Sequence, residues 1–207
     1  YLKAIEIQPK NASAYFNLAC LIEKTEPNNL KEVLLLFSKV IEIEPNNAIA
    51  YNGRGHILDK LEEYEASYVD FTQAMNLDPN NPVFVHNRAC CLRNQGHLEE
   101  ALIDFERALS LDNKNPVIYS NYGLVLRKLE KYEEAVSVYS REIDLSGETV
   151  KKLNNRAYCF AKLGNFKEAV SDYTKALGHE NDNIHSLHNR GICYERIIAC
   201  YRRRFIV

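Results

Sequence analysis

The chain repeats itself. The stretches Ala-Tyr-Asn-Gly-Arg-Gly (50–55), Val-His-Asn-Arg-Ala (85–89), Tyr-Ser-Asn-Tyr-Gly (119–123), Leu-Asn-Asn-Arg-Ala (153–157) and Leu-His-Asn-Arg-Gly (187–191) recur at an offset of 34 residues. A fixed period of roughly 20–50 residues implies stacked supersecondary units, each unable to bury its apolar face alone. Slot 1 of the frame falls at Ala48, Pro82, Pro116, Val150 and Ile184. An earlier copy starts at Ala12 and is two residues longer, around Glu26-Pro27-Asn28-Asn29. The array therefore divides into the end of a preceding copy (1–11), five complete copies (12–47, 48–81, 82–115, 116–149 and 150–183) and the first helix of a sixth (184–197). Because Tyr1 already lies inside a helical pattern, the chain reads as a piece of a longer protein.

Each slot has a physical task. Slot 8 holds only Ala19, Gly55, Ala89, Gly123, Ala157 and Gly191, and slot 20 holds Val33, Ser67, Ala101, Ala135 and Ala169. Small residues there let two helices approach closely. Slot 24 supplies a large knob: Tyr1, Phe37, Phe71, Phe105, Tyr139 and Tyr173. Slots 4, 7, 8 and 11 share one helical face, as do 17, 20, 24, 27 and 28. Short polar turns such as Gln95-Gly96-His97 and Leu163-Gly164-Asn165 separate them, and Pro9, Pro45 and Pro79 stop the second helix. The pattern predicts an antiparallel helix pair per copy, stable only when stacked.

This pattern resembles the tetratricopeptide repeat family, whose slots 4, 7, 8, 11, 20, 24, 27 and 32 carry aromatic, Leu, small, aromatic, small, aromatic, Ala and Pro. The segment Ala48–Asn81 fits best, through Tyr51, Gly55, Leu58, Ser67, Phe71, Ala74 and Pro79, and the resemblance extends over Tyr1 to Ile197. It implies an all-α fold, a right-handed α-solenoid in which first helices line a concave groove, and a non-enzymatic role in binding other proteins. Some slots depart from the pattern: slot 32 is Asn113, Gly147 and Asn181, and slot 27 is Glu142. From Ile198 to Val207 the repeat chemistry is lost, so 198–207 is a divergent tail: an improvised cap, the end of a truncated product or the remnant of an incomplete gene model. Its Arg202-Arg203-Arg204 tract is weak support for a localisation signal.

Slot 7, normally Leu, is Leu18, Arg54, Arg88, Tyr122, Arg156 and Arg190, while slot 23 is Leu36, Asp70, Asp104, Val138 and Asp172. Arg at slot 7 accompanies Asp at slot 23 in three complete copies, and both slots are apolar or aromatic in the other two. An Arg drawn into a helix interface needs a partner, since breaking such a pair costs roughly 3–5 kcal/mol. The expectation is three bidentate structural ion pairs, Arg54–Asp70, Arg88–Asp104 and Arg156–Asp172. Arg190 meets Ile206 at slot 23, so it is either solvated or borrows Asp172.

Slot 6 reads Asn17, Gly53, Asn87, Asn121, Asn155 and Asn189. Asn is a mediocre helix former, so propensity does not explain this ladder. Its amide offers a donor and an acceptor together, which suits a peptide backbone of any sequence. The ladder is similar to that of the superhelical repeat region of O-linked N-acetylglucosamine transferase, which implies backbone contacts from Asn17, Asn87, Asn121, Asn155 and Asn189. The alternative is that these amides tie neighbouring helices or cap loops. Neighbouring slots would add selectivity: His56, His86, Cys90, Tyr158, Arg93, Arg127, Lys128 and Lys162, along with Asn154 at slot 5 and Arg196 at slot 13. The cations would favour acidic or phosphorylated segments, or else be solvated charges complementing helix ends. A C-terminal chaperone-tail clamp needs Lys at slot 5 and Asn at slot 9, which no copy has.

Net charge is −2, which excludes general attraction to nucleic acid. The best apolar run, Val33 to Ile41, is broken by Ser38 and Lys39 and falls short of the ~18 residues a membrane span needs. The six Cys form no CxxC pair, so reduced thiols in a cytoplasmic, intracellular protein are expected, with a cilium as one setting. No phosphate loop, HExxH or nucleophile elbow occurs, and the His185/His188 pair lacks a third ligand. No metal, cofactor or catalytic residue is expected. The leading reading is a scaffold that binds an extended or helical partner segment. The alternatives are the substrate-recruiting arm of a larger enzyme and an architectural subunit of a multiprotein, for example ciliary or transport, assembly.

Overall fold

First helices start behind a capping side chain. Asn11, Asn47, Asn81, Asn115, Thr149 and Asn183 accept a hydrogen bond from the backbone N–H of Ala14, Ala50, Val83, Val117, Lys152 and Ser186, at 2.9–3.4 Å. Each cap removes one orphan donor from the first turn. Several of these caps are held in turn by an acid three residues earlier, as in Asn47 Nδ2 donating to Glu44 at 2.7 Å.

The computed structural model describes residues 1–204, with side chains to Arg202. Phe205, Ile206 and Val207 of the expected tail, and with them the Ile206 slot opposite Arg190, lie outside the described residues. The described residues form twelve helices. A short α1 (Leu2–Ile7) is followed by the pairs α2/α3 (Ala12–Thr25, Leu30–Ile43), α4/α5 (Ala48–Lys60, Tyr64–Leu77), α6/α7 (Pro82–Gln95, Leu98–Leu111), α8/α9 (Pro116–Lys128, Tyr132–Ser146) and α10/α11 (Val150–Lys162, Phe166–His179), then by a longer α12 (Ile184–Arg204). The fold is all-α, a helical-repeat solenoid. The chain divides into two compact units, Tyr1–Asp112 and Asn113–Val207. Within the first unit α2 packs on α3, α4 on α5 and α6 on α7, and each second helix also packs on the next first helix. The second unit repeats the scheme through α8, α9, α10, α11 and α12. First helices also touch one another directly, α4 against α6 and α10 against α12.

In four of the five pairs the turn places one residue in the left-handed region, whereas the longer turn between α2 and α3 does without one. Gly96 (φ 88°) and Gly164 (φ 78°) supply that residue, but Glu62 (φ 62°) and Glu130 (φ 59°) occupy the same slot 15. In the sixth copy slot 15 is Ile198, a β-branched residue that resists that conformation. There the helix does not turn, and α12 runs on to Arg204.

The core is the slot chemistry in three dimensions. Phe37, Phe71, Phe105, Tyr139 and Tyr173 are at most 2% exposed, and Ala19, Val33, Ala101, Ala135 and Ala169 are fully buried. At Gly123 an added Cβ would lie 2.6 Å from Tyr139 Cε1, so the ring occupies the space a side chain would need. Ser67 Oγ donates to the Gly55 carbonyl at 2.8 Å, linking slots 20 and 8 directly. Glu142, where other copies have Ala or Val, is 4% exposed, and its Oε2 has no hydrogen-bond partner among the described residues. Burial raises its pKa, opposed by a Ser120 hydrogen bond and by Lys152 and Lys151.

The slot-7 arginines join the two helices of a pair. Nε and Nη2 of Arg54 donate to Asp70 at 2.7 Å each, those of Arg88 to Asp104 at 2.7 Å each, and those of Arg156 to Asp172 at 2.7 and 2.8 Å. The carboxylates are buried and the guanidiniums partly so. Nη1 of Arg54 and of Arg156 also reach back to Ser38 and Ser140 of the preceding pair, at 3.3 and 3.1 Å. Arg190 does not borrow Asp172, whose two oxygens are engaged by Arg156. It donates instead to Thr174 Oγ1 at 3.4 Å.

Four outcomes follow for urea unfolding. Replacing Glu130 by Gly removes the left-handed penalty of an L-residue and stabilises by about 0.5–1 kcal/mol, whereas Gly123→Ala forces the buried Tyr139 ring aside and costs about 1–3 kcal/mol. Arg88→Leu alone strands the Asp104 carboxylate and costs about 3–5 kcal/mol. Adding Asp104→Leu restores most of that stability, because the first copy already uses Leu18 and Leu36 at the same slots.

Candidate peptide-binding face

Slots 5, 6, 9, 12 and 13 bring the expected site residues to the first helices, and side chains on this face link one copy to the next. In the first unit Asn17 on α2 is exposed and borders a hollow of about 220 Å³ with Ser13, Phe16, Asn47 and Ile49. The ladder is interrupted at Gly53 because the Phe37 ring lies where a side chain would begin, 2.7 Å from an added Cβ. Asn87 Nδ2 donates to Asn52 Oδ1 on α4 at 2.8 Å. Its Oδ1 lies 3.3 Å from His86 Nδ1, and His86 Nε2 lies 3.6 Å from Cys90 Sγ. Thus Asn52, Asn87, His86 and Cys90 form one polar chain.

Burial sets the charge of that chain. It lowers the His86 pKa, with the Asn87 hydrogen bond opposing, and raises that of Cys90 to about 11. Both groups are neutral at neutral pH, and the Cys90 thiol is a poor nucleophile there. The His86 ring stands edge-on to Phe105, with centroids 5.8 Å apart. His56 is exposed and lies 3.7 Å from Glu23, which also takes Lys60 at 2.7 Å. The Arg93 guanidinium contacts Asn94 Oδ1 at 3.2 Å, and Asn94 donates to both Asp59 oxygens at 3.1 and 3.2 Å.

In the second unit Asn121 Nδ2 donates to the Val117 carbonyl of its own helix at 3.2 Å. Asn155 Oδ1 accepts from Arg127 Nη1 at 2.9 Å, across from α8 to α10. The Tyr158 ring receives two cations, Arg127 Cζ at 5.2 Å and Lys162 Nζ at 5.5 Å. Tyr132 packs edge-on against the same ring at 6.3 Å. Lys128 is exposed. Asn189 Nδ2 lies 3.1 Å from the His185 ring, one turn back on α12.

The structure thus gathers Asn87 with His86 and Cys90, and Asn155 with Arg127, Tyr158 and Lys162. Asn189 lines a hollow with Tyr158 and Lys162 of the second group, and Asn17 stands apart from both groups. One slot-5 residue expected to contribute to selectivity does something else. Asn154 is buried, accepts from Ser186 Oγ at 2.7 Å and ties α12 to α10. Its partners Ser186 and Asn183 lie in the next copy, and nothing in the sequence of its own copy marks them.

Comparisons with known proteins agree with the helical-repeat fold. The profile described as "Tetratricopeptide repeat" matches residues 1–30, 48–81, 83–115, 117–148 and 150–183. The chain belongs to the tetratricopeptide repeat family. A sequence search of curated proteins gave no match. Among solved structures, the repeat protein YrrB, described as having an unusual peptide-binding site, is 23% identical with a TM-score of 0.76, over 92% of this chain and 97% of its own. MamA from Desulfovibrio magneticus RS-1 is 19% identical with a TM-score of 0.76, over 84% of this chain and 97% of its own. PilF of Pseudomonas aeruginosa is 21% identical with a TM-score of 0.77, over 91% of this chain and 85% of its own. At these identities the likeness is one of fold. Among the described residues no helix is long and apolar enough to cross a membrane.

The lowered His86 pKa has a sign that can be tested. The unfolded chain takes up a proton near pH ~6.5 while the folded chain resists it, so stability falls as pH drops below that value. Urea midpoints between pH 7 and pH 5 should therefore decline for wild type, and the His86→Gln variant should lose part of that slope.

Proposed function

We propose that this tetratricopeptide repeat chain is a non-catalytic scaffold that holds an extended or helical segment of a partner protein along its first helices. The fold is that of protein–protein interaction scaffolds. The finer reading is supported by one observation above the others: slot-6 amides recur on successive first helices and keep hydrogen-bonding capacity. Asn17 makes no side-chain hydrogen bond among the described residues, and Asn155 uses only its Oδ1. The contacts Asn87–Asn52 and Asn155–Arg127 hold two of the amides in place before a partner arrives, which lowers the ordering cost of binding. A fold relative described as having a peptide-binding site agrees with the reading.

The test compares wild type with the triple variant Asn87→Ala, Asn121→Ala, Asn155→Ala on an array of unstructured peptides. Losing about 1 kcal/mol per backbone contact weakens binding by about 100-fold in the triple variant, with the unfolding midpoint little changed. Undiminished binding, or loss of the fold itself, would assign the ladder a structural role.

A further inference from the structure

We propose that the second unit contains a seat for a side-chain oxyanion, a carboxylate or a phosphate monoester carried by the bound segment. The inference rests on the scaffold reading above and adds the chemistry its partner must have. Between α10 and α12 lies a hollow of about 390 Å³ walled by Tyr158, Lys162, Phe166, Asn189, Ile192 and Arg196. That is at the small end of ligand pockets, which run from roughly 300 to 1,000 Å³, and suits a single side chain. Its charge is one-sided. The Lys162 ammonium and the Arg127 guanidinium converge on the one Tyr158 ring, and Arg196 adds a third cation at the wall. An aromatic face attracts cations but does not cancel their mutual repulsion. Among the described residues, Arg127, Lys162 and Arg196 form no ion pair. Glu195, beside Arg196, is exposed and likewise forms none.

The first unit shows what the same slots look like when neutralised from within. There Lys60 is paired with Glu23 at 2.7 Å, and Arg93 connects through Asn94 to Asp59. Glu23 and Asp59 occupy slot 12 one copy before Lys60 and Asn94, whereas slot 12 one copy before Lys162 and Arg196 holds Arg127 and Ala161; Glu195, at slot 12 on α12, forms no ion pair among the described residues. The counter-charge from the preceding copy is thus missing where the hollow opens. Tyr158, Phe166 and Ile192 give the hollow apolar walls, which strengthen a charge-assisted hydrogen bond relative to open solvent. The Asn189 amide at its rim is a ladder position, so a backbone held at slot 6 would deliver its side chain here.

The experiment uses the whole 207-residue chain and sets of otherwise identical unstructured peptides whose central residue is Glu, phosphoserine, Gln or Ser. Wild type should bind the Glu and phosphoserine peptides about tenfold or more tightly than their Gln and Ser partners, with the advantage shrinking at high salt. The Lys162→Gln, Arg196→Gln double variant changes two exposed side chains; it should lose that advantage and keep its affinity for the neutral peptides. A larger advantage for phosphoserine than for Glu names phosphate as the source, and the reverse names carboxylate. Equal binding of Glu and Gln peptides, or an advantage that survives the double variant, overturns the seat and leaves the scaffold reading intact. Failure of wild type to hold any peptide overturns both.

Discussion

The close approach of slot 8 to slot 20, with the slot-24 ring beside it, is the contact on which everything else in this chain depends. Only Gly and Ala occur at slot 8, and the Tyr139 ring already fills the space beside Gly123. Five aromatic knobs buried almost completely show that the same solution is repeated in every complete copy. A single pair of helices buries too little apolar surface to be stable, so each pair depends on the next. That dependence fixes which face of each first helix is covered. It thereby fixes which slots are left to meet a partner.

Polar groups are arranged on top of this packing rather than in place of it. Three pairs use a bidentate Arg–Asp clasp where two use apolar or aromatic residues at the same slots. Two backbone-compatible solutions thus coexist in one protein. A buried ion pair has to recover its desolvation cost and is weak evidence for added stability, but it fixes rotation and register between helices. Contacts from Arg54 and Arg156 to serines of the preceding pair extend that registration from within a copy to between copies. Glu142 is the exception, a buried carboxylate with one oxygen unpartnered among the described residues.

Along the first-helix face the two units differ in character. In the first, the polar groups are largely satisfied by one another: Asn87 with Asn52, Lys60 with Glu23, Asn94 with Asp59. His86 and Cys90 are kept neutral by burial. In the second, cations gather on Tyr158 without carboxylates. One repeat pattern therefore carries two chemistries, because the surface slots are free to vary once slots 8, 20 and 24 are held.

The sequence by itself determined the period, the helix pairs, the core and the pairing of slot 7 with slot 23. Packing and capping act over short, fixed spacings, and a 34-residue repeat states those spacings five times over. It marked the turns at Gly96 and Gly164, while the left-handed conformation of Glu62 and Glu130, which carry no glycine signal, emerged only in the structure. What it left open was where hydrogen bonds go between copies. Whether Asn154 faces a partner or clasps Ser186, whether Arg190 reaches Asp172 or Thr174, and whether α12 turns or runs on to Arg204 were decided only in three dimensions. Such choices depend on the rise and rotation from one pair to the next, which set side chains from different copies within or beyond hydrogen-bond distance, and no spacing along one copy encodes them.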